Sequence, residues 1–316
     1  MSKRTVDLFS GCGGMSLGFE NAGFDVVAAF DNWDTAVNLY SLNFKHPILQ
    51  RDLSKPFDKE GSGDKSAIDE IKGFSPEVII GGPPCQDFSI AGKRENRGRA
   101  NLTVRFAEMI AEVRPEWFVM ENVYNIERMS ILDVAIDKLK AAGYGLTRKV
   151  LNASLCGVPQ ARRRFFLIGH LGDEDGFLDG IIEGSLATEP LTVRKYLEQN
   201  GLWNGFNTQY YYMHPRSYNR RAVFSVDEPS ATIRGINRPI PASYKRHHAD
   251  KAGIEEGVRA LTTKERSYIQ SFPDSYKIEG AKTAVELAIG NAVPVNLARF
   301  VADCINAYEE ASDGNE

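Results

Sequence analysis

The chain has 316 residues, of which 42% are apolar and 25% charged, and its formal net charge is −4. This composition is typical of a globular protein with one large domain or two. The longest apolar runs have only the length of strands, so we expect no segment that crosses a bilayer. The net charge does not by itself indicate a nucleic-acid partner.

The first 170 residues predict strands and helices in alternation. Strands are predicted at residues 6–9, 24–30, near 48, 78–80, 117–120, 144–151 and 165–169. Helices are predicted at residues 15–21, 33–43, 101–113 and 131–141. This pattern predicts an α/β protein with a doubly wound sheet and helices on both of its faces.

The alternation ends after Gly169, and residues 171–258 predict a second, smaller and irregular domain. Residues 171–200 hold seven acids and two bases, whereas residues 204–251 hold eight bases and three acids, with tyrosines between them. The basic stretch indicates either a solvated surface or a surface that binds a polyanion.

Helical pattern returns in the predicted C-terminal segment, residues 259–316. Thr262 can cap a helix, and residues 285–308 form an apolar helical stretch that Pro294 interrupts. An amphipathic stretch this apolar needs a partner surface, so we expect it to pack on the first domain, residues 1–170.

The cysteines and the beginning of the chain predict its compartment. The four cysteines are widely spaced, without a zinc-finger or disulfide pattern: Cys12, Cys85, Cys156 and Cys304. No secretory signal pattern is visible. We therefore expect a reduced, cytoplasmic chain without a metal.

A glycine-rich loop, Ser10-Gly11-Cys12-Gly13-Gly14, joins the first predicted strand to the first predicted helix. Glycine lets the main chain approach a ligand closely, and a helix amino end follows. The spacing does not match Gly-x-Gly-x-x-Gly, so a tight turn explains the loop equally well. Asp31 and Asp52 follow the next two predicted strands, where an acid can bind adenosine or cap a helix. In order, the loop and the acids indicate an adenosine-containing cofactor.

Three further motifs lie next to predicted strands, two after a strand and one before a strand. Cys85 stands in Pro83-Pro84-Cys85-Gln86-Asp87-Phe88-Ser89, where it is either a nucleophile or, as is commoner for a lone cysteine, a buried structural residue. Glu121 is a proton donor if it is desolvated, and otherwise a surface acid or a cap. Arg162 and Arg164 lead into the strand predicted at residues 165–169, and if that strand starts early they share one of its faces. Two guanidinium groups there can hold phosphate or a pyrimidine carbonyl, and the alternative is a solvated basic turn.

Taken together, these motifs resemble those of the DNA cytosine-5 methyltransferases of the bacterial restriction-modification type. Six matching stretches span nearly the whole chain: residues 7–14, 83–89, 121–123, 160–164, 259–276 and 290–294. One alone could arise by chance, whereas six in family order are hard to explain otherwise. The resemblance implies a Rossmann-like methyltransferase sheet with a smaller target-recognition domain. It also implies S-adenosylmethionine as methyl donor, no metal, and a cytosine flipped out of duplex DNA as acceptor.

The resemblance also implies the catalytic roles. Cys85 attacks carbon 6 of the cytosine as a thiolate, which makes carbon 5 nucleophilic. Glu121 holds ring nitrogen 3 and the exocyclic amine and protonates the ring as charge builds. Arg164 binds the carbonyl at carbon 2, and Arg162 helps to position the Cys85 loop and the base. The sequence does not identify the base that removes the carbon-5 proton.

For the cofactor, the resemblance assigns the glycine loop to the methionine part, Asp31 to the ribose and Asp52 to the adenine amine. The predicted cofactor residues are Phe9, Ser10, Gly11, Cys12, Gly13, Gly14, Asp31, Asn32, Asp52, Leu53, Pro83, Leu102, Asn291 and Ala292. Many family members carry an apolar residue after the ribose acid. This chain has Asn32 there and Trp33 one place later, so which of the two contacts adenine is open.

Residues 171–258 lie where the family keeps its target-recognition region. Residues 230–235 resemble the element that contacts the DNA backbone near the flipped base, which assigns Thr232. Three residues are predicted to read base edges, although a phosphate contact or a structural bond is the commoner role: Arg234, Asn237 and Arg238. Further DNA contacts are predicted at Gln86, Ser89 and Arg97.

The resemblance implies double-stranded DNA as partner, a separately encoded restriction endonuclease, a monomer and no membrane association. A tRNA cytosine-5 methyltransferase of the same fold is the alternative. A non-catalytic DNA-binding or adenosine-binding module ranks lower because Cys85 and Glu121 are both present. The glycine spacing gives little support to a Rossmann oxidoreductase.

Overall fold

The computed structural model describes residues 2–58, 65–84, 102–217 and 219–313. A seven-stranded sheet forms its centre, built from β1 Arg4–Leu8, β2 Asp25–Asp31, β3 Ile48–Gln50, β4 Val78–Gly81, β5 Trp117–Val123, β6 Tyr144–Asn152 and β7 Arg163–Leu171. The helices between these strands are α1 Gly14–Asn21, α2 Asp34–Asn43, α3 Ala67–Gly73, α4 Leu102–Val113 and α5 Ser130–Ala141.

The strand order β3-β2-β1-β4-β5-β7-β6 confirms the α/β fold class that the sequence predicted. The first five strands pair in parallel, and β7 runs antiparallel to both of its neighbours. The chain first winds outward from β1 to β3 and then restarts at β4 on the other side of β1. The carboxyl ends of β1 and β4 therefore flank a topological switch point, where open α/β sheets form ligand crevices.

Apolar clusters cover both faces of the sheet. On one face Phe106 and Ile110 of α4 pack against Phe118 of β5. On the other face, Phe19 of α1 lies in one cluster with Leu297 and Val301 of the last helix, α11 Val295–Asp313. Parallel strands buried on both sides need continuous apolar runs, which is why the sequence predicted them well.

The sequence missed α3 because the helix has only seven residues. Its amino end is capped reciprocally: the Ser66 side chain accepts from Asp69 N–H, and the Asp69 carboxylate accepts from Ser66 N–H. This capping box compensates for a helix too short to show a periodic pattern.

The close approach of α1 and α11 depends on Gly18. A β-carbon at Gly18 would lie 2.5 Å from the Ala298 β-carbon and 2.6 Å from the Val295 carbonyl oxygen. We expect Gly18→Ala to lower the free energy of unfolding by about 1–3 kcal/mol through overpacking. Denaturant unfolding measures this change, with Gly184→Ala, which would meet no atom within 4 Å, as the control. Equal stability of the two variants would contradict the packing argument.

Residues 171–258 contain short helices as well as extended segments. The helices are α6 Asp179–Ser185, α7 Val193–Gln199 and α8 Trp203–Phe206, and the strands are β8 Tyr210–Tyr212 and β9 Val223–Ser225. A third strand, β10 Arg259–Ala260, pairs in parallel with β8, while β9 pairs with β8 antiparallel. The small sheet thus crosses the predicted boundary at residue 258, and the three-part division remains a prediction.

The remaining helices are α9 Thr263–Ile269 and α10 Lys282–Asn291, followed by α11. The Thr262 side chain accepts from Glu265 N–H and caps α9. The helical stretch Lys282–Ser312 contains α10 and most of α11. By length and composition alone it could cross a membrane, whereas the run lengths predicted no such segment. Of its apolar window, 67% is buried inside the fold, as in a core helix.

Candidate active site

A cavity of about 300 Å³ opens at the carboxyl ends of the central parallel strands. This volume is within the range of small-molecule and cofactor sites. Ten predicted cofactor residues line it: Phe9, Ser10, Gly11, Asp31, Asn32, Asp52, Leu53, Leu102, Asn291 and Ala292. Trp33, the alternative adenine contact, also lines the cavity. The sequence did not single out the other lining residues as cofactor contacts: Asp7, Met15, Arg51, Gly82, Pro84, Glu121, Ala288 and Val293.

The glycine loop turns tightly over the end of β1. Phe9 adopts φ 59°, an uncommon conformation for a residue with a side chain, and Gly11 and Gly13 also have positive φ. The Ser10 N–H donates to the Phe30 carbonyl at 3.1 Å. Strained main chain of this kind concentrates at functional sites, where the surrounding structure fixes it.

Asp31 connects the glycine loop to the segment after β2. Its Oδ2 accepts from Gly11 N–H at 2.8 Å, and its Oδ1 accepts from Trp33 N–H at 2.9 Å. Burial raises the pKa of Asp31, although these hydrogen bonds oppose the shift. Asn32 and Trp33 both line the cavity.

Asp52 lies at the same edge of the sheet but is exposed. Its Oδ1 accepts from Ser54 N–H at 2.9 Å, which is a local turn. Asp52 therefore stabilises a turn rather than the helix cap that the sequence left open as the alternative, and it lies on the cavity wall.

The C-terminal segment closes the cavity. A β-carbon at Gly14 would lie 2.1 Å from the Val293 carbonyl oxygen, so only glycine permits this approach. The Tyr276 hydroxyl donates to the Cys12 carbonyl at 2.5 Å. In the described chain, four predicted cofactor residues are not part of the lining: Cys12, Gly13, Gly14 and Pro83.

The sequence missed Asp7 because it stands inside an apolar strand. It is completely buried, and its Oδ2 accepts from the Ser16 hydroxyl at 2.6 Å. Among the described residues, no group hydrogen-bonds its Oδ1. Burial raises the pKa of Asp7 to about 7. A buried carboxylate oxygen without a partner, on the wall of a cavity, is suited to accept hydrogen bonds from a polar or cationic ligand.

Asp7→Asn is expected to raise the melting temperature of the ligand-free protein at pH 8 and to change it less near pH 5. Between the usual carboxyl pKa and about 7, the folded state binds more protons than the unfolded state, so the free energy of unfolding falls as pH rises. Thermal unfolding from pH 5 to pH 8 measures this, with Asp25→Asn, an exposed acid, as the control. Parallel pH profiles for wild type and Asp7→Asn would contradict it.

Glu121 and Arg164 form a buried ion pair next to the cavity. The Arg164 Nε atom lies 2.8 Å from Glu121 Oε1, and the two side chains are 17% and 11% exposed. The antiparallel register of β5 and β7, in which Val123 faces Arg164, brings them together. Burial raises the pKa of Glu121, although the charges of Arg164 and Arg162 oppose the shift. A carboxyl of this kind can hold a proton and donate it.

Arg162 is buried and binds main-chain atoms. Its Nη1 donates to the carbonyls of Ile233 and Gly290, each at 3.1 Å. Burial lowers the pKa of Arg162 to about 9. The guanidinium therefore joins the recognition region to α10.

The predicted nucleophile Cys85 lies outside the described residues, as do Gln86, Ser89 and Arg97. Immediately before it, Pro83 is buried and its carbonyl accepts from Asn122 Nδ2 at 3.0 Å. Pro84 lines the cavity that Glu121 also lines. The described chain thus leads to Cys85 from the wall of this cavity.

The predicted DNA contacts in the recognition region have different environments. Thr232 is half-buried, and Arg238 is exposed. The Arg234 guanidinium donates to the His214 carbonyl. Asn237 Nδ2 donates to the Leu261 carbonyl and to Glu286 Oε1, each at 2.8 Å. Arg234 and Asn237 therefore make the structural bonds that the sequence left open as the alternative.

A metal cluster is not found in the ranges that the structure describes: no group of three or more His, Cys, Asp or Glu side chains there could hold an ion. The cavity instead combines carboxylates with apolar walls. This donor set fits a ligand with a cationic part, a diol and an aromatic ring.

The sheet order, the cavity at the switch point and the likeness to solved methyltransferase structures define the class as the S-adenosylmethionine-dependent methyltransferase fold. The chain belongs to the C-5 cytosine-specific DNA methylase family, whose model matches residues 3–307. It is therefore a DNA cytosine-5 methyltransferase, and it is of the restriction-modification type.

Curated relatives match over nearly the full length. The chain is 53% identical over 309 residues to the Type II methyltransferase M.HindV of Haemophilus influenzae, covering 97% of each. It is 52% identical over 306 residues to the Type II methyltransferase M.HgiDI of Herpetosiphon aurantiacus, covering 96% of this chain and 94% of the relative. The crystal structure of S. pombe Dnmt2 methyltransferase shares the fold, with a TM-score of 0.69, 19% identity and 99% of each chain covered.

Proposed function

We propose that the enzyme transfers the methyl group of S-adenosylmethionine to carbon 5 of a cytosine flipped out of duplex DNA, through a covalent bond between Cys85 and carbon 6. The observation that carries this proposal is the buried Glu121–Arg164 pair on the edge of the cavity that the glycine loop and Asp31 also line. The Glu121 carboxyl can give a proton to ring nitrogen 3 of cytosine and accept from the exocyclic amine, and the Arg164 guanidinium can donate to the carbonyl at carbon 2.

The cavity residues fit the cofactor. Asp31 would hold the ribose hydroxyls, and the exposed Asp52 carboxylate would accept from the adenine amine. The unpartnered Asp7 Oδ1 adds a carboxylate oxygen on the same wall. When bound, the cofactor supplies an electrophilic methyl group, and the chain's own residues hold it beside the base site.

The chemistry of this chain's residues begins at the Cys85 sulfur. Its thiolate forms a bond to carbon 6, and the electron pair of the 5,6 double bond becomes available at carbon 5. Glu121 supplies a proton to ring nitrogen 3, while Arg164 stabilises charge at the carbonyl of carbon 2. After methylation, a base, for which we propose a water molecule, takes the carbon-5 proton. The electron pair of that C–H bond re-forms the 5,6 double bond and expels Cys85 as the thiolate, and ring nitrogen 3 returns its proton to Glu121. The groups of the protein thus hold the base, activate it and balance its charge.

Three other thiols are poor candidates for the nucleophile. Burial raises the pKa of Cys12 and Cys156 to about 12 and that of Cys304 to about 11. Raised values disfavour the thiolate, which is the reactive form. Cys12 follows β1 but is buried, whereas Cys85 follows β4, whose carboxyl end also lies at the cavity.

We further propose that residues 204–251 contact DNA, with Thr232 near the backbone and Arg238 at base edges or phosphates. Gln86, Ser89 and Arg97 remain predicted contacts. The alternative substrate is tRNA, and the relatives named Type II methyltransferases favour DNA. A separately encoded endonuclease, a monomeric enzyme, a bacterial cytoplasmic location and no membrane association are proposed on the same basis.

The direct test is transfer of a radiolabelled methyl group to duplex DNA and, in parallel, to tRNA. The DNA is a library with a randomised 12-base-pair window, and bisulfite sequencing then identifies the methylated cytosines. We expect label in DNA at cytosines within one short sequence. Label in tRNA alone, or in no cytosine of the library, would contradict the proposal.

A further inference from the structure

The loop of residues 234–238, which we name the recognition loop, lies directly on α10. A β-carbon at Gly290 would lie 2.3 Å from the Arg234 carbonyl carbon and from the Gly235 nitrogen. A β-carbon at Gly235 would lie 3.1 Å from the Leu287 α-carbon. The main chains of the loop and the helix are therefore in contact, which leaves little freedom for the loop to shift.

A buried ion pair lies beneath the loop. Arg266 of α9 and Glu286 of α10 are 4% and 3% exposed, and the Arg266 Nε atom lies 2.6 Å from Glu286 Oε2. Burying two charges is expensive, and apolar side chains of similar size often stabilise a fold as well or better. The presence of this pair therefore needs a reason other than stability.

Both members of the pair bind the recognition loop. Arg266 donates to the carbonyl of Arg234 and, at 3.2 Å, to the carbonyl of Ile236. Glu286 Oε1 accepts from Asn237 Nδ2 at 2.8 Å, and it also accepts from the Thr263 hydroxyl at 2.7 Å. Two main-chain atoms and one side chain of the loop are thus held by charged groups, which make the stronger hydrogen bonds.

These bonds decide which loop side chains are free. The Arg234 and Asn237 side chains bond within the protein. Ile236 is 48% exposed although it is apolar, and Arg238 is exposed. An apolar side chain can contact a thymine methyl group, and arginine can pair with guanine.

We propose that Arg266 and Glu286 are positioning residues for sequence specificity, which hold the recognition loop so that Ile236 and Arg238 face the bases of the target DNA. This inference rests on the proposed function. It assigns base reading to Ile236 and Arg238 and anchoring to Asn237.

The main test is the double variant Arg266→Met/Glu286→Leu, which removes both charges together. We expect it to fold, and we expect the ratio of methylation at the wild-type site to that at sites with one mismatch to fall by at least about tenfold on the randomised duplex library. The KM for S-adenosylmethionine should change less than about threefold, whereas a displaced α10 would raise it. The matched control is Arg105→Met/Glu108→Leu. It removes an ion pair on α4, a helix that is distant in sequence from the recognition loop.

Two outcomes would overturn the inference. One is an unchanged site-to-mismatch ratio in a folded double variant. The other is a fall in the ratio accompanied by an equal rise in the cofactor KM, because the pair would then only support α10. If the double variant does not fold, the Asn237→Ala variant tests the inference instead. Relaxed discrimination at several base positions of the target supports anchoring of the loop. Relaxed discrimination at a single base position means that Asn237 reads a base, which would overturn the inference.

Hydrogen exchange provides a readout that does not depend on methyl transfer. Amides of the recognition loop should exchange at least about tenfold faster in the double variant, with β1 and β4 unchanged. Equal exchange in the loop would overturn the anchoring role even if the wild-type protein methylated no cytosine. Failure of the proposed function and failure of this inference are thereby distinguished.

Discussion

Cys85→Ser should lower kcat for methyl transfer to DNA by at least about 10⁴-fold, the scale on which enzymes lose rate when a nucleophile is removed. Serine has nearly the same size, but its hydroxyl is far less acidic than a thiol, so attack on carbon 6 is lost. Transfer of radiolabelled methyl to the library substrate measures the effect. DNA binding, measured by fluorescence anisotropy, should change little because the recognition region is intact.

The control is Cys304→Ser. Cys304 of α11 is buried in the apolar cluster between this helix and the sheet, and burial raises its pKa to about 11, so it is not expected to react. A small effect on stability with kcat retained is the expected result. If Cys85→Ser kept a tenth or more of the wild-type rate, the covalent route would be wrong.

Glu121→Gln is the second large effect, with kcat expected to fall by about 10²–10⁴-fold. Glutamine keeps the shape of the side chain and can still contact the exocyclic amine, but it cannot give a proton to ring nitrogen 3. Burial raises the pKa of Glu121, so its neutral form persists to higher pH than that of an ordinary carboxyl. The wild-type kcat/KM should fall as pH rises through this pKa, and Glu121→Gln should lack that alkaline decline.

Glu116→Gln is the matched control. Glu116 pairs with Lys3 at 2.7 Å and is 44% exposed. Its replacement should leave both kcat and the pH profile as in the wild type. An unaltered alkaline decline in Glu121→Gln would assign that decline to another group and remove Glu121 from proton transfer.

The sheet was predictable because its strands are buried on both faces. Residues such as Val78, Ile79 and Ile80 are all completely buried and therefore form an uninterrupted apolar run. The antiparallel direction of β7 was not predictable from such runs, since an apolar strand reads the same in either direction. That direction produces the register that places Arg164 against Glu121.

The polar residues were harder to assign. Asp7 was missed because a single acid within an apolar strand does not stand out as a ligand contact. That its buried Oδ1 has no hydrogen-bond partner among the described residues is evident only from the three-dimensional structure. Asn237 was predicted to read a base, and it bonds to Glu286, which lies 49 residues later in the chain. Such long-range partners leave no local pattern in the sequence.

The covalent bond between Cys85 and cytosine is tested most directly by trapping. A duplex that carries 5-fluorocytosine at the methylated position cannot lose a proton from carbon 5, so the enzyme should stop after methyl transfer with Cys85 still attached. We expect a denaturation-resistant adduct that forms only with S-adenosylmethionine, and peptide mass spectrometry should locate it at residue 85. No adduct from a preparation that methylates ordinary cytosine, or an adduct at another residue, would contradict this account.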